Sequence, residues 1–215
     1  MAKWLSPPRH AMYLAAAGGD PVRALALYEW NARLSAAVFR DLAHLEVALR
    51  NAYDLALSAG WPGPPHWTSA GGRVFAPLYR TRNGRRIDIN ERVRSSLSQA
   101  LVTAGGSAAP PGKVVAELMF GFWRYLSSAA HEKALWVPCL HRAFPAGTDR
   151  ERHVDSRVRR LHQLRNRVAH HEPLLRTNLA ARLDDLLGLA SLIDHSFGQY
   201  LRATTAIPAL VANRP

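Results

Sequence analysis

The 215 residues are 48% hydrophobic, enough for a real core in one compact domain or in a domain with an added helical layer. Lys and Arg number 28 against 16 Asp and Glu, a formal net charge of +12. Since Lys3, Lys113 and Lys133 are the only lysines, arginine carries the excess and points to a polyanionic partner, nucleic acid first. Cys139 is the only cysteine, which excludes an intramolecular disulfide and any zinc site built on cysteines.

The opening residues MAKWLSPPRHAMYLAAAGGD hold no continuous apolar run ahead of a cleavage site. No stretch approaches the roughly 18 apolar residues that span a bilayer, so the expectation is a cytoplasmic protein with no membrane partner. Asp20 and Pro21 form a good helix start, cap then first turn, and an Ala- and Leu-rich run extends from there to Gly60. Leu27, Trp30, Leu34, Val38, Leu42, Leu45, Leu49 and Leu55 fall largely at steps of three and four, which predicts a buried face on one long helix or on two in series. Residues 60–88 change character. Pro, Gly and aromatic residues mix with Arg73, Arg80, Arg82, Arg85 and Arg86, which predicts a basic, exposed loop or excursion.

Helical spacing resumes in DINERVRSSLSQALVTAGG, where Val93, Leu97 and Leu101 share a face and Gly105 and Gly106 end it. Two helical stretches are expected next, one on each side of Ser128, with Pro138 as a break. Asp149 then opens a helix whose stripe is Val154, Val158, Leu161, Leu164 and Val168, and Pro173 stops it. A last helix, TNLAARLDDLLGLASLIDHSFGQYLRAT, takes Thr177 or Asn178 as cap and turns Leu183, Leu186, Leu187, Ala190 and Ile193 inward. Sustained β-branched alternation is missing. The expected class is therefore all-α, an up-and-down helical bundle forming a single domain over 1–215.

The stretch RLHQLRNRVAHHEPLL, residues 160–175, concentrates the chemistry. A zincin needs two histidines four apart on a helix with a Glu between them, and neither His131–Glu132 nor His171–Glu172 has the second histidine. No metal site is expected. Cys139 lies in the apolar stretch ALWVPCL, the setting of a packed thiol, and no serine sits in a nucleophile elbow. Metal-free RNA cleavage asks for a group that moves protons near neutral pH and a fixed cation for the charge growing on phosphate oxygens, which histidine and arginine supply. Arg165 and His170 stand about 140° apart and about 7.5 Å along an ideal helix, a gap that an arginine side chain can close. Asn166 lies one turn before His170, where its amide can hold the imidazole or a phosphate oxygen. The spacing is equally compatible with a solvated basic helix end. Trp123 and Trp136 fit a helical core better than a stacking platform. Arg80, Arg82, Arg85 and Arg86, with Arg160 and Arg167, are the candidates for holding an RNA backbone, with a solvated basic surface as the rival account. No compact helix-turn-helix suggests a DNA-binding regulator.

LRNRVAHHEPL, residues 164–174, resembles the Arg-Asn-x-x-x-His signature of the HEPN superfamily, in the form found in its Abi-like, or abortive-infection, family. LEVALRNAY at 45–53 resembles that family's N-terminal helix motif. FGFWRYL at 120–126 and HEKALWVPCLHRAFP at 131–145 resemble its central segment. The resemblance implies an all-α HEPN-like helical bundle with additional helices. It also implies a metal-independent endoribonuclease without cofactors that leaves 2′,3′-cyclic phosphate and 5′-hydroxyl ends. The motif falls on Arg165, Asn166 and His170, with His171 as the neighbour typical of the family, and the N-terminal motif on Glu46, Arg50 and Asn51, either catalytic or as a polar cluster holding helices in register. Such enzymes pair two motifs across a shared cleft, so a homodimer is expected. A role as toxin or phage-defence effector is expected with it, restrained by a protein or RNA antitoxin. The alternative is a catalytically silent HEPN module that binds RNA or a protein.

Overall fold

A computed structural model describes residues 4–63 and 66–215, the side chain of Arg82 excepted. Lys3, the Pro-Pro step of the excursion at 64–65 and the Arg82 side chain lie outside the described residues. The fold is all-α, with ten α-helices and one two-stranded hairpin among those residues. No helix among them is long and apolar enough to cross a membrane.

The helices α1 (Pro7–Ala16) and α2 (Pro21–Gly60) open the chain, followed by α3 (Gly71–Val74) and the strands β1 (Tyr79–Arg82) and β2 (Arg85–Asp88). Next come α4 (Glu91–Ala104), α5 (Pro111–Glu117) and α6 (Phe120–Leu126). The chain closes with α7 (Ser156–Ala169), α8 (Leu179–Ile193), α9 (His195–Thr204) and α10 (Ile207–Ala212). Packing groups these into two compact units, 1–45 with 160–215, and 46–159. Both boundaries fall inside a helix, α2 and α7, which is why no linker composition marks them in the sequence.

In the first unit α2 begins as the sequence predicts. The Asp20 carboxylate accepts the N–H groups of Val22 and Arg23 at 2.8 and 3.2 Å, satisfying donors that a helix start leaves unpaired. Leu27, Trp30, Leu34, Val38, Leu42 and Leu45 are buried as a stripe, each contributing roughly 1.5–3 kcal/mol of apolar burial. Two polar residues, Asn31 and Asp41, sit buried on the same stripe. Asp41 accepts the Thr205 hydroxyl at 2.6 Å, and the Trp30 indole donates to the Leu210 carbonyl at 2.6 Å, so α2 is tied to the segments around α9 and α10. Leu161, Leu164 and Val168 of α7 are also buried.

The single last helix expected from the sequence is two. Asp194 takes an extended conformation, ends α8 and caps α9 by accepting the Phe197 N–H at 2.7 Å. The two helices then fold against each other so closely that a Cβ on Gly198 would stand 2.8 Å from the Ser191 backbone. The Asn178 cap matches the expectation, accepting the Ala181 N–H at 3.1 Å.

In the second unit the stripe of α2 continues through Leu49, Tyr53 and Leu57, whereas Leu55, placed on it by the sequence reading, is 73% exposed. Six residues beyond Leu49 rotate Leu55 about 240° away from the buried face. Trp123 and Trp136 are both buried, and Trp123 packs among Trp67, Phe122 and Tyr53. The excursion holds a hairpin that the sequence reading missed. Tyr79 pairs with Asp88 and Arg82 with Arg85, closed by Asn83 and Gly84 with φ of +50° and +71°. The second helix expected after Ser128 is instead a series of short 3₁₀ and π turns across Ala129–His131, Glu132–Trp136 and Leu140–Ala143. Asp149 caps as expected, accepting the Arg152 N–H at 2.7 Å, but a π turn over Arg150–Asp155 precedes α7.

Candidate functional site

The site in the first unit is built on the C-terminal end of α7. After Ala169 the chain turns with His171 at φ +55°, a left-handed conformation usually taken by glycine at this place. The His171 N–H donates to the Val168 carbonyl at 2.9 Å and the Glu172 N–H to the Arg167 carbonyl at 2.8 Å, the paired bonds of a Schellman ending. His170 donates its N–H to the Asn166 carbonyl at 2.9 Å, and both histidines are exposed. A histidine in this conformation costs of order 1 kcal/mol relative to glycine.

Three contacts hold the turn from outside. The Arg9 guanidinium donates to the His171 carbonyl. The Leu174 N–H donates to buried Asn31 Oδ1 at 2.7 Å, and Arg214 donates to the Leu175 carbonyl at 3.1 Å. Arg167 and Glu172 form an ion pair at 3.0 Å on the outer surface, both about half exposed and worth little to stability.

Beside the turn lies a cleft of about 840 Å³. Arg165 and His171 line it from the α7 side, Arg9 from α1, and Tyr28, Asn31 and Phe39 from α2. The volume falls within the range of small-molecule sites, roughly 300–1,000 Å³. His170 and Asn166 are not among its lining residues. The Asn166 amide, expected to hold the His170 ring or a phosphate oxygen, lies 3.4 Å from His162 Nε2 one turn earlier, and its backbone carbonyl accepts the His170 N–H.

The remaining sequence candidates separate. Arg160, a third exposed, is engaged by a carboxylate within the first unit. It grips buried Asp185 through two bonds of 2.8 and 2.5 Å, joined there by Arg182 at 3.2 Å. Arg167 remains at the surface apart from its pair with Glu172. Glu46, Arg50 and Asn51 belong to the second unit, with Glu46 and Arg50 half-buried and Asn51 exposed. Arg80, Arg85 and Arg86 are exposed on the hairpin, and Arg86 lies 3.9 Å from the Tyr79 ring centre. Arg82 ends β1 in backbone terms alone.

Other nucleophiles are accounted for in the second unit. Cys139 is buried, its thiol donates to the Leu135 carbonyl at 3.1 Å, and burial pushes its pKa up, away from thiolate chemistry. Ser58 Oγ stands 2.9 Å from His66 Nε2, a serine–base distance. The other ring nitrogen, Nδ1, lies 3.0 Å from Thr68 Oγ1 and 3.3 Å from the Thr68 N, and Nε2 also lies 3.4 Å from Asp54 Oδ1, so the ring sits in a local hydrogen-bond cluster that holds the segment before Trp67. Among the described residues no group of three or more His, Cys, Asp or Glu could hold a metal ion.

Sequence reasoning missed Arg9, Tyr28, Asn31 and Phe39. The signal for Asn31 was present, because it falls on the apolar stripe between Leu27 and Leu34 at steps of four and three. A polar residue there needs a buried partner. Arg9 and Phe39 carried no such mark. Comparison with protein-family models, with curated proteins and with solved structures finds no match to this chain.

Proposed function

We propose that this chain is a HEPN-type endoribonuclease that cuts RNA without a metal ion and acts as a toxin or phage-defence effector. The observation that carries this reading is the placement of Arg165 in the wall of a cleft at the end of a helix whose next two residues are exposed histidines. In the reaction the ribose 2′-oxygen attacks the adjoining phosphorus, the bond to the 5′-oxygen breaks, and a 2′,3′-cyclic phosphate and a 5′-hydroxyl result. His170 serves one of the two proton transfers, from the 2′-hydroxyl or to the leaving 5′-oxygen, and Arg165 neutralises the charge that grows on the non-bridging oxygens.

One motif offers one proton carrier and the reaction needs two transfers. A second copy of the chain supplying a second motif completes the chemistry, which makes the active species a homodimer. The exposed arginines Arg80, Arg85 and Arg86 of the hairpin, with Arg82 in the same strand pair, are placed in this account along the RNA backbone. Host cells need a restraint on such an enzyme, and a protein or RNA antitoxin fills that role.

One observation favours a second assignment inside the same site. His171 lines the cleft together with Arg165 and His170 does not, so His171 is the alternative proton carrier. The test is a labelled mixed-sequence RNA incubated in EDTA with wild type and with Arg165→Ala, His170→Ala and His171→Ala, each checked for folding. Loss of cutting in Arg165→Ala and in one histidine variant supports the reading and names the carrier. RNA that is bound but never cut makes the chain a silent RNA-binding module.

A further inference from the structure

The cleft beside Arg165 has a composition that proton transfer alone does not require. Along α2, Tyr28, Ala32, Ser35, Ala36 and Phe39 recur at helical spacing and line it. Small side chains form the floor, and the two aromatic residues bound it about 16 Å apart along the helix. Trp4 stands beside Tyr28 with ring centroids 5.1 Å apart and is 60% exposed, and Phe39 is 46% exposed. Two guanidinium groups, Arg9 and Arg165, share the same cleft. Large aromatic faces left in water in a concave, arginine-bearing site mark a binding surface rather than unfinished core.

Resting on the ribonuclease reading, we propose that this cleft is a nucleobase subsite. An unpaired base of single-stranded RNA lies over the floor of Ala32 and Ala36, stacked against Phe39, and delivers its attached phosphate to Arg165 and Arg9. A ligand that joins a flat π surface to an anion suits this lining, and a nucleotide carries both in one unit. Stacking on aromatic residues tolerates every base, so the subsite selects unpaired RNA over duplex more strongly than it selects sequence. Asn31 also lines the cleft, with its Oδ1 engaged by the Leu174 N–H.

Calorimetric titration of the full-length protein with adenosine 3′-monophosphate, which holds no bond to cut, tests the subsite against ribose 5-phosphate as the baseless probe. The expected result is saturable binding of the nucleotide, at least tenfold weaker binding of ribose 5-phosphate, at least tenfold loss in Phe39→Ala, and recovery in Phe39→Trp. Equal affinity for both probes, or nucleotide binding indifferent to Phe39→Ala, overturns the proposal. So does a Phe39→Ala variant that turns a dimer into a monomer at unchanged nucleotide affinity, which would make this face a contact between copies. Nucleotide binding as expected without RNA cutting would sink the nuclease and leave the subsite. Cutting through Arg165 with no role for Phe39 in binding would do the reverse.

Discussion

Asn31 Oδ1 accepts the backbone N–H of Leu174 at 2.7 Å, so a side chain early in the sequence fixes the segment that follows the two histidines. Both groups are buried, and the amide loses its only protein acceptor among the described residues if the side chain is cut back. Asn31→Ala should lower the unfolding free energy by about 1–3 kcal/mol, the cost of a buried donor left unsatisfied. The same variant should speed hydrogen exchange at Leu174. Urea denaturation and amide exchange read both effects, and a variant as stable as wild type would show that the clamp is dispensable.

His171 gives a prediction of opposite sign. Glycine adopts φ +55° without the Cβ clash, so His171→Gly should raise stability by about 0.5–1 kcal/mol if function, and not folding, keeps histidine there. RNA cutting or binding should fall in the same variant. A thermal melt paired with a cleavage assay tests this trade, and a variant that loses stability would mean the ring itself supports the turn.

The residues just considered show what the sequence revealed and what it concealed. Helix periods placed the buried stripes of α2 and α7, and the caps at Asp20, Asn178 and Asp149 were legible because short polar side chains at helix starts have one common use. The hairpin was legible too and went unread, since Asn83–Gly84 is a strong two-residue turn signal whose flanking strands are mostly arginine instead of alternating apolar residues. Asp194 was hidden by its surroundings. A helix break with a helical pattern on both sides leaves the periodicity nearly intact, and tertiary packing decides it. Arg160 was misread for a related reason, because charge on a sequence does not reveal a partner 25 residues away.

That partner makes Arg160 a stability residue. Asp185 is buried at 8% side-chain exposure and Arg160 covers both its oxygens, while Arg160 itself is 34% exposed. Arg160→Ala should cost about 1–3 kcal/mol, less than a fully buried pair because solvent reaches the arginine. Arg167→Ala, whose pair is half exposed, should leave the denaturation midpoint within about 0.5 kcal/mol of wild type. Equal effects from the two substitutions would contradict the distinction.

Asp88 links the hairpin to α4. Its carboxylate accepts the N–H groups of Leu78 and Asn90 at 2.9 and 3.0 Å and binds the Arg94 guanidinium at 2.5 Å. The Arg94 bond, then the backbone N–H groups, hold its pKa below the ordinary aspartate value. A depressed folded-state pKa contributes stability that is present above the unfolded value, about 3.9, and is lost as pH falls through the lower folded value. Asp88→Asn should therefore be less stable than wild type at pH 7, and the gap should narrow as pH drops below about 4. Denaturation of both proteins across that range checks it, and a pH-independent gap would assign the loss to geometry instead of charge.

The proposed chemistry rests on a 2′-hydroxyl attacking its own phosphate under Arg165 and a histidine of the 170–171 pair. The most direct measurement is the fate, in EDTA, of an oligoribonucleotide cut by the wild-type protein, compared with the same strand carrying 2′-deoxyribose at the cut nucleotide, with product ends identified by mass. The account predicts 2′,3′-cyclic phosphate and 5′-hydroxyl ends from the all-ribose strand, no cut at the deoxy position, and no cut of either strand by Arg165→Ala. Cleavage at the deoxy position, products with 5′-phosphate ends, or full activity in Arg165→Ala would contradict it.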